Sequence, residues 1–155
     1  MDLKEIADGL TVKFNIPDLA VEDGEVALEI DGMPILLAEG NGDAIIITGF
    51  VGDAPAEGGE QFANLLLNAT TELMDSKALA LARNPETGAL TLVQRVAQIG
   101  LAIDGFCEEL SSFVNTLETW RGLLEDFRPA AAEAMESASS LPDEKDLAMG
   151  GFMQV

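Results

Sequence analysis

From Ile103 onward the apolar residues fall at Ile103, Phe106, Leu110, Phe113, Leu117, Trp120, Leu124 and Phe127, in steps that alternate between three and four. That spacing gathers side chains on one side of an α-helix, not on one face of a strand. The stripe is a heptad-like seam of about seven turns. A seam of that length must be covered by the rest of the chain. Trp120, the only tryptophan, and Phe113 are expected to face a sheet, with Glu118, Arg121 and Glu125 toward water. Glu118 and Arg121 are spaced to pair weakly. Arg128-Pro129 ends the helix.

The remaining segments supply the covering surface. Leu3, Ile6, Ala7, Leu10 and Phe14 recur at helical spacing over residues 2–14, and Asn15 and Pro17 stop that helix. Residues 25–31, EVALEID, alternate strictly: Val26, Leu28 and Ile30 face one way, and Glu25, Glu29 and Asp31 the other, as in a half-buried strand. Apolar runs at 35–38 and 44–50 flank Asn41-Gly42, a hairpin signal that wants positive φ at both turn positions. Residues 51–60 read as a loop by composition. A second helix over 60–75 sets Phe62, Leu65, Leu66, Ala69 and Leu73 on one face, while Leu67 and Met74 widen the stripe. Segments 78–83 and 89–96 form a second hairpin around residues 84–88, with Leu79 and Leu81 on one face and Ala78, Ala80 and Ala82 on the other. The order is helix, three strands, helix, two strands, long helix: an α+β domain over residues 1–128. Residues 129–155 are small, acidic and turn-forming, so a flexible acidic tail is expected there, with Met149, Phe152 and Met153 as an apolar end.

Charge and composition remove several functions. The net charge is −20, from 28 acidic and 8 basic side chains. That opposes binding to phosphate backbones and to anionic membrane surfaces, and it suits a basic partner. No apolar run approaches about 18 residues, and MDLKEIADGL lacks the pattern of a secretory signal. Cys107 is alone, so no internal disulfide can form, which fits a reducing cytoplasm.

There is no histidine, which removes the commonest general base and metal ligand and all Ser-His-Asp and Cys-His catalysis. Cys107 without such a partner reads as structural. The carboxylates Glu25, Glu29 and Asp31, and Glu108-Glu109 and Glu125-Asp126, read as solvated faces. Asp18, Glu22 and Asp23, and Glu39, Asn41 and Asp43, do not match a twelve-residue calcium loop. Gly40, Gly42 and Gly58-Gly59 form no phosphate loop. Neither catalytic residues, a metal nor a cofactor is expected.

Apolar surface remains. One small core is hard pressed to bury every stripe, so some of it is expected at a homodimer contact, on the second helix, and some at a peptide-binding surface on the first helix and the strand edges, where an extended peptide can add a strand. A different class is an acidic nucleic-acid mimic that inhibits a basic DNA- or RNA-binding protein. The charges are spread along the chain instead of forming one dense stripe, which weighs against it. A small enzyme using a carboxylate pair is weaker still.

Several phrases in order resemble the class I type III secretion chaperones, the Tir chaperone family. They are the amphipathic opening helix running into Asn15-Ile16-Pro17, GEVALEIDG at 24–32, FANLLLNAT at 62–70, ALARNPETGALTLVQRV at 80–96 and FVNTLETWRGLL at 113–124. The resemblance covers residues 1–127. It implies an α-β-β-β-α-β-β-α protomer with an antiparallel twisted sheet packed by helices, a homodimer, no enzyme activity and a bacterial cytoplasmic setting. It implies a partner too: the N-terminal chaperone-binding segment of a secreted effector, held extended, soluble and competent for the secretion ATPase, a virulence role. Carried onto this chain, partner contacts would draw on Leu3, Ile6, Leu10, Phe14, Val26, Leu28, Ile45 and Ile47. Dimer contacts would draw on Phe62, Leu66, Ala69 and Leu73. On that reading, Ile6→Asp or Leu10→Asp abolishes effector binding and spares the fold. The tail at 129–155 departs from shorter family members; its apolar end is a candidate cover for the patches when no effector is bound.

Overall fold

A computed structural model describes residues 1–127. The expected tail lies outside the described residues. The elements are α1 (Leu3–Phe14), β1 (Glu25–Ile30), β2 (Met33–Gly40), β3 (Ala44–Asp53), α2 (Gly59–Lys77), β4 (Leu79–Arg83), β5 (Ala89–Ala97) and α3 (Ile103–Asp126). The five strands form one antiparallel sheet in the order β1-β2-β3-β5-β4. The α+β class and the element order are those read from the sequence.

Local chemistry sets the boundaries. Asp2 caps α1 by accepting a hydrogen bond from the Glu5 N–H at 2.8 Å, satisfying a donor the helix leaves free. Asn15 ends α1 in the left-handed region at φ 54°, which asparagine tolerates. The tightest hairpin is not the expected one. Asp31 and Gly32, at φ 52° and 78°, form a two-residue turn between the paired Ile30 and Met33. Asp31 is therefore a turn residue and not the outward end of β1. At Asn41-Gly42 the strands pair at Gly40 and Ala44, which leaves three residues in the loop, and the positive φ values fall on Gly42 and Asp43. Arg95 on β5 donates to the carbonyls of Asn41 (2.8 Å) and Gly42 (3.2 Å) and pins this turn.

Residues 51–53 are strand, not loop. Gly52 pairs with Leu90 and Asp53 with Ala89, after an irregularity between Phe50 and Gly52. A partner strand outweighs loop-like composition, because it satisfies each backbone group that water would otherwise bind. Ala78 belongs to the end of α2 and not to β4. It sits at φ 55°, and its N–H donates to the Leu73 carbonyl.

One face of the sheet carries the core. Val26, Leu28, Ile35, Leu37, Ile45, Ile47, Leu90 and Leu92 are buried there, and α1 and α3 pack over it. The α3 seam holds: Phe106, Leu110, Phe113, Leu117 and Trp120 are buried, and Ile103, Leu124 and Phe127 are partly so. Two glycines of β3 let α3 approach closely. A Cβ added at Gly49 would fall 2.5 Å from Leu117 Cδ2, and one at Gly52 would fall 2.4 Å from Leu124 Cδ2. Arg121 donates to the Phe50 carbonyl at 2.8 Å, so β3 is its partner instead of Glu118. At the other end of the sheet α2 packs on β4, and Phe62 meets Phe127 edge to face with ring centres 4.9 Å apart. The opposite sheet face presents Ala27, Leu36, Thr48, Val93 and Ala80 as one exposed to half-buried row across all five strands.

Candidate functional site

The feature with most to offer a partner is the free edge of β1. Glu22 and Glu25 exchange both backbone hydrogen bonds, at 2.9 and 3.0 Å, across a turn at Asp23-Gly24. The N–H and C=O of Glu25 therefore point away from β2. Antiparallel strands alternate in this respect, so Ala27 and Glu29 also turn their backbone groups outward. No described strand lies beyond them. The stretch from Ala27 to Asp31 is an open template for a short added strand.

A groove of about 370 Å³ runs along this edge on the core side. Its floor is Leu28 and Ile30 from β1 with Cys107, Leu110 and Val114 from α3. Phe14 and Ile16, at and just past the end of α1, form one wall, and Ser111 and Asn115 give α3 a polar lip. Phe14 is half exposed (52%), an unusual state for phenylalanine outside a contact. Burial pushes the Cys107 thiol above its usual pKa, so the sulfur lines the groove as an apolar atom and not as a thiolate nucleophile. The ionisable residues in the lining, Glu29 and Asp31, are both acidic. Lys13, close by on α1, is committed to Asp104 at 2.6 Å.

The residues expected to bind a partner divide sharply. Phe14 and Leu28 line the groove. Leu3, Ile6, Leu10, Val26, Ile45 and Ile47 are buried within the chain's own core, so they shape the surface from beneath. The expectation that Leu10→Asp or Ile6→Asp spares the fold is overturned: both side chains are completely buried, and an unpaired carboxylate there costs more than a domain of this size can lose.

The expected dimer residues divide too. Phe62 and Leu66 are buried against their own chain, and Ala69 and Leu73 are partly buried. Leu65 does not share their face; it is 45% exposed, because it stands about 100° round the helix from Leu66. With Leu67 (69%) and Met74 (52%) it makes the outward apolar surface of α2.

Ile16, Cys107 and Val114 had not been expected at a site. A stripe parallel to the main seam, Ile103, Cys107, Leu110, Val114 and Leu117, was present in the spacing. Its destination depends on how α3 crosses β1, which spacing does not encode.

Among the described residues no cluster of His, Cys, Asp and Glu could hold a metal ion, and no helix is long and apolar enough to cross a membrane.

A family model described as the Tir chaperone protein (CesT) family matches residues 5–121. Among solved structures, a chain of the ExsC–ExsE complex is similar at a TM-score of 0.69 and 17% identity, over 80% of this chain and 97% of that one. A chain of the HopA1–SchA chaperone–effector complex gives 0.66 and 15%, over 77% and 92%. One from the ExoT–SpcS complex of Pseudomonas aeruginosa gives 0.55 and 21%, over 77% and 98%. At these identities the likeness is one of fold. No curated protein sequence matches the chain.

Proposed function

The chain belongs to the Tir chaperone protein (CesT) family of type III secretion chaperones, and on that premise we propose that it holds the N-terminal chaperone-binding segment of a secreted effector in extended form. Held so, the effector stays soluble and competent for the secretion ATPase. The observation that carries this reading is the open β1 edge beside an apolar groove. An extended segment placed there satisfies the outward backbone groups of Ala27 and Glu29 and buries alternate side chains against Leu28, Cys107, Leu110 and Val114. Binding of this kind requires no bond to be made or broken, so the protein acts as a carrier and not an enzyme. The fold similarity to the HopA1–SchA chaperone–effector complex supports the same assignment.

The working unit on this reading is a homodimer in the bacterial cytoplasm, joined through α2. Leu65, Leu67 and Met74 offer the apolar contact, and Ala69 and Leu73 flank the buried Phe62 and Leu66. Residues 1–128 form the chaperone unit and 129–155 an acidic tail.

The test is an affinity pull-down of the full chain from its native host, washed at high salt, with bound proteins identified by mass spectrometry. One or a few proteins retained through their N-terminal regions is the expected result. A basic nucleic-acid-binding protein that washes away with salt would replace this reading with the mimic, whose contacts are mainly charged and therefore screened.

A further inference from the structure

Glu25 and Glu29 stand on the face of β1 opposite the groove, separated by Ala27. Their neighbours across β2 are Ala38 and Pro34, so β2 supplies no cation to either carboxylate. The open side of β1 is where a cross-strand partner can still be placed. Opposite charges directly across a pair of strands stabilise it, and like charges oppose it. A second copy of this edge, which repeats Glu25, Glu29 and Asp31, is therefore disfavoured as the occupant. A strand with an apolar residue opposite Leu28 and a cation opposite Glu29 satisfies both faces at once, because successive side chains point to opposite sides.

We infer that the β1 edge selects polypeptide segments in which an apolar anchor is flanked directly by lysine or arginine, the anchor entering the groove and the cation meeting Glu29 with Asp31 beside it. This rests on the effector-binding reading above and adds the chemistry of the segment. The apolar anchor provides grip and the acidic edge provides choice, so raised salt weakens such a segment a few-fold and does not release it.

An array of synthetic twelve-residue peptides tests the assignment. Each has a central leucine in an alternating apolar and threonine frame, and the residues on both sides of the leucine are Lys, Gln or Glu. The probe is the labelled full chain, alongside a Glu29→Gln/Asp31→Asn variant. Asparagine is chosen at 31 because it accepts the positive φ of that turn. The native chain is expected to bind the Lys peptide about tenfold more tightly than the Glu peptide, with Gln between. In the variant the difference should shrink to about twofold while Gln-peptide binding stays level. Equal binding of Lys and Glu peptides by the native chain overturns the inference. So does an unchanged preference in the variant, or failure of every peptide to bind. A charge-blind array together with a host protein captured by the pull-down overturns this inference alone; an empty pull-down overturns the chaperone reading itself.

Discussion

Two long helices of this molecule carry wide apolar stripes and spend them differently. The α3 stripe is consumed inside the chain: Phe106, Leu110, Phe113, Leu117 and Trp120 are all buried, and glycines 49 and 52 of β3 clear space for the helix. The α2 stripe is split. Phe62 and Leu66 point inward, while Leu65, Leu67 and Met74 remain outside. A continuous seam with a sheet beneath it builds the fold. A stripe spread too far round its helix leaves part of itself for another molecule.

The largest test of that contrast is truncation in the seam. Trp120→Ala should lower unfolding free energy by about 3–5 kcal/mol in denaturant melts, the cost of removing a buried aromatic. A loss within error would take α3 out of the core. Next comes Gly49→Ala. Its new methyl would meet Leu117 and Phe113, so overpacking should cost about 1–3 kcal/mol in the same melts; a neutral result would mean that α3 sits less tightly on β3.

On α2, Leu67→Ser should shift sedimentation velocity from dimer toward monomer. The monomer's own stability should stay within about 0.5 kcal/mol, as for exposed positions generally. An unchanged dimer would move the proposed contact elsewhere. The smallest effect is expected at the Lys13–Asp104 pair, which is fully exposed. Hydrogen bonding to Lys13 holds the Asp104 carboxyl below its ordinary pKa, and the same bond raises Lys13. Any stability from the pair is thus present at neutral pH. It fades as acid titrates Asp104 through its lowered pKa, or as base titrates Lys13 through its raised one. Lys13→Ala should leave the melting temperature at neutral pH within error.

Periodicity made the elements legible because it reports the face a segment buries. It placed all eight elements in order, and it placed the seam residue by residue. It failed where a partner strand decides the outcome. Gly52-Asp53 resembles a loop until β5 is set beside it, and Asn41-Gly42 resembles a two-residue turn until the Gly40–Ala44 pairing adds a third residue. The candidate groove was half legible. Phe14 and Leu28 were named from their own elements. Cys107 and Val114 reach the groove only because α3 crosses beside β1, which is tertiary information. The same limit explains Ile6 and Leu10: an apolar stripe on α1 shows that the side is covered, not by what.

The strand order has a consequence for how quickly the chain reaches its native state. The pairs β1–β2, β2–β3 and β4–β5 are joined by short turns and form with little loss of chain freedom. The pair β3–β5 lies at the centre of the sheet and closes only across residues 54–88. Loop-closure entropy falls on that one step. We expect it to set the folding rate: in stopped-flow refolding, lengthening the 54–58 connection should slow folding, and the same insertion between β4 and β5 should speed unfolding instead.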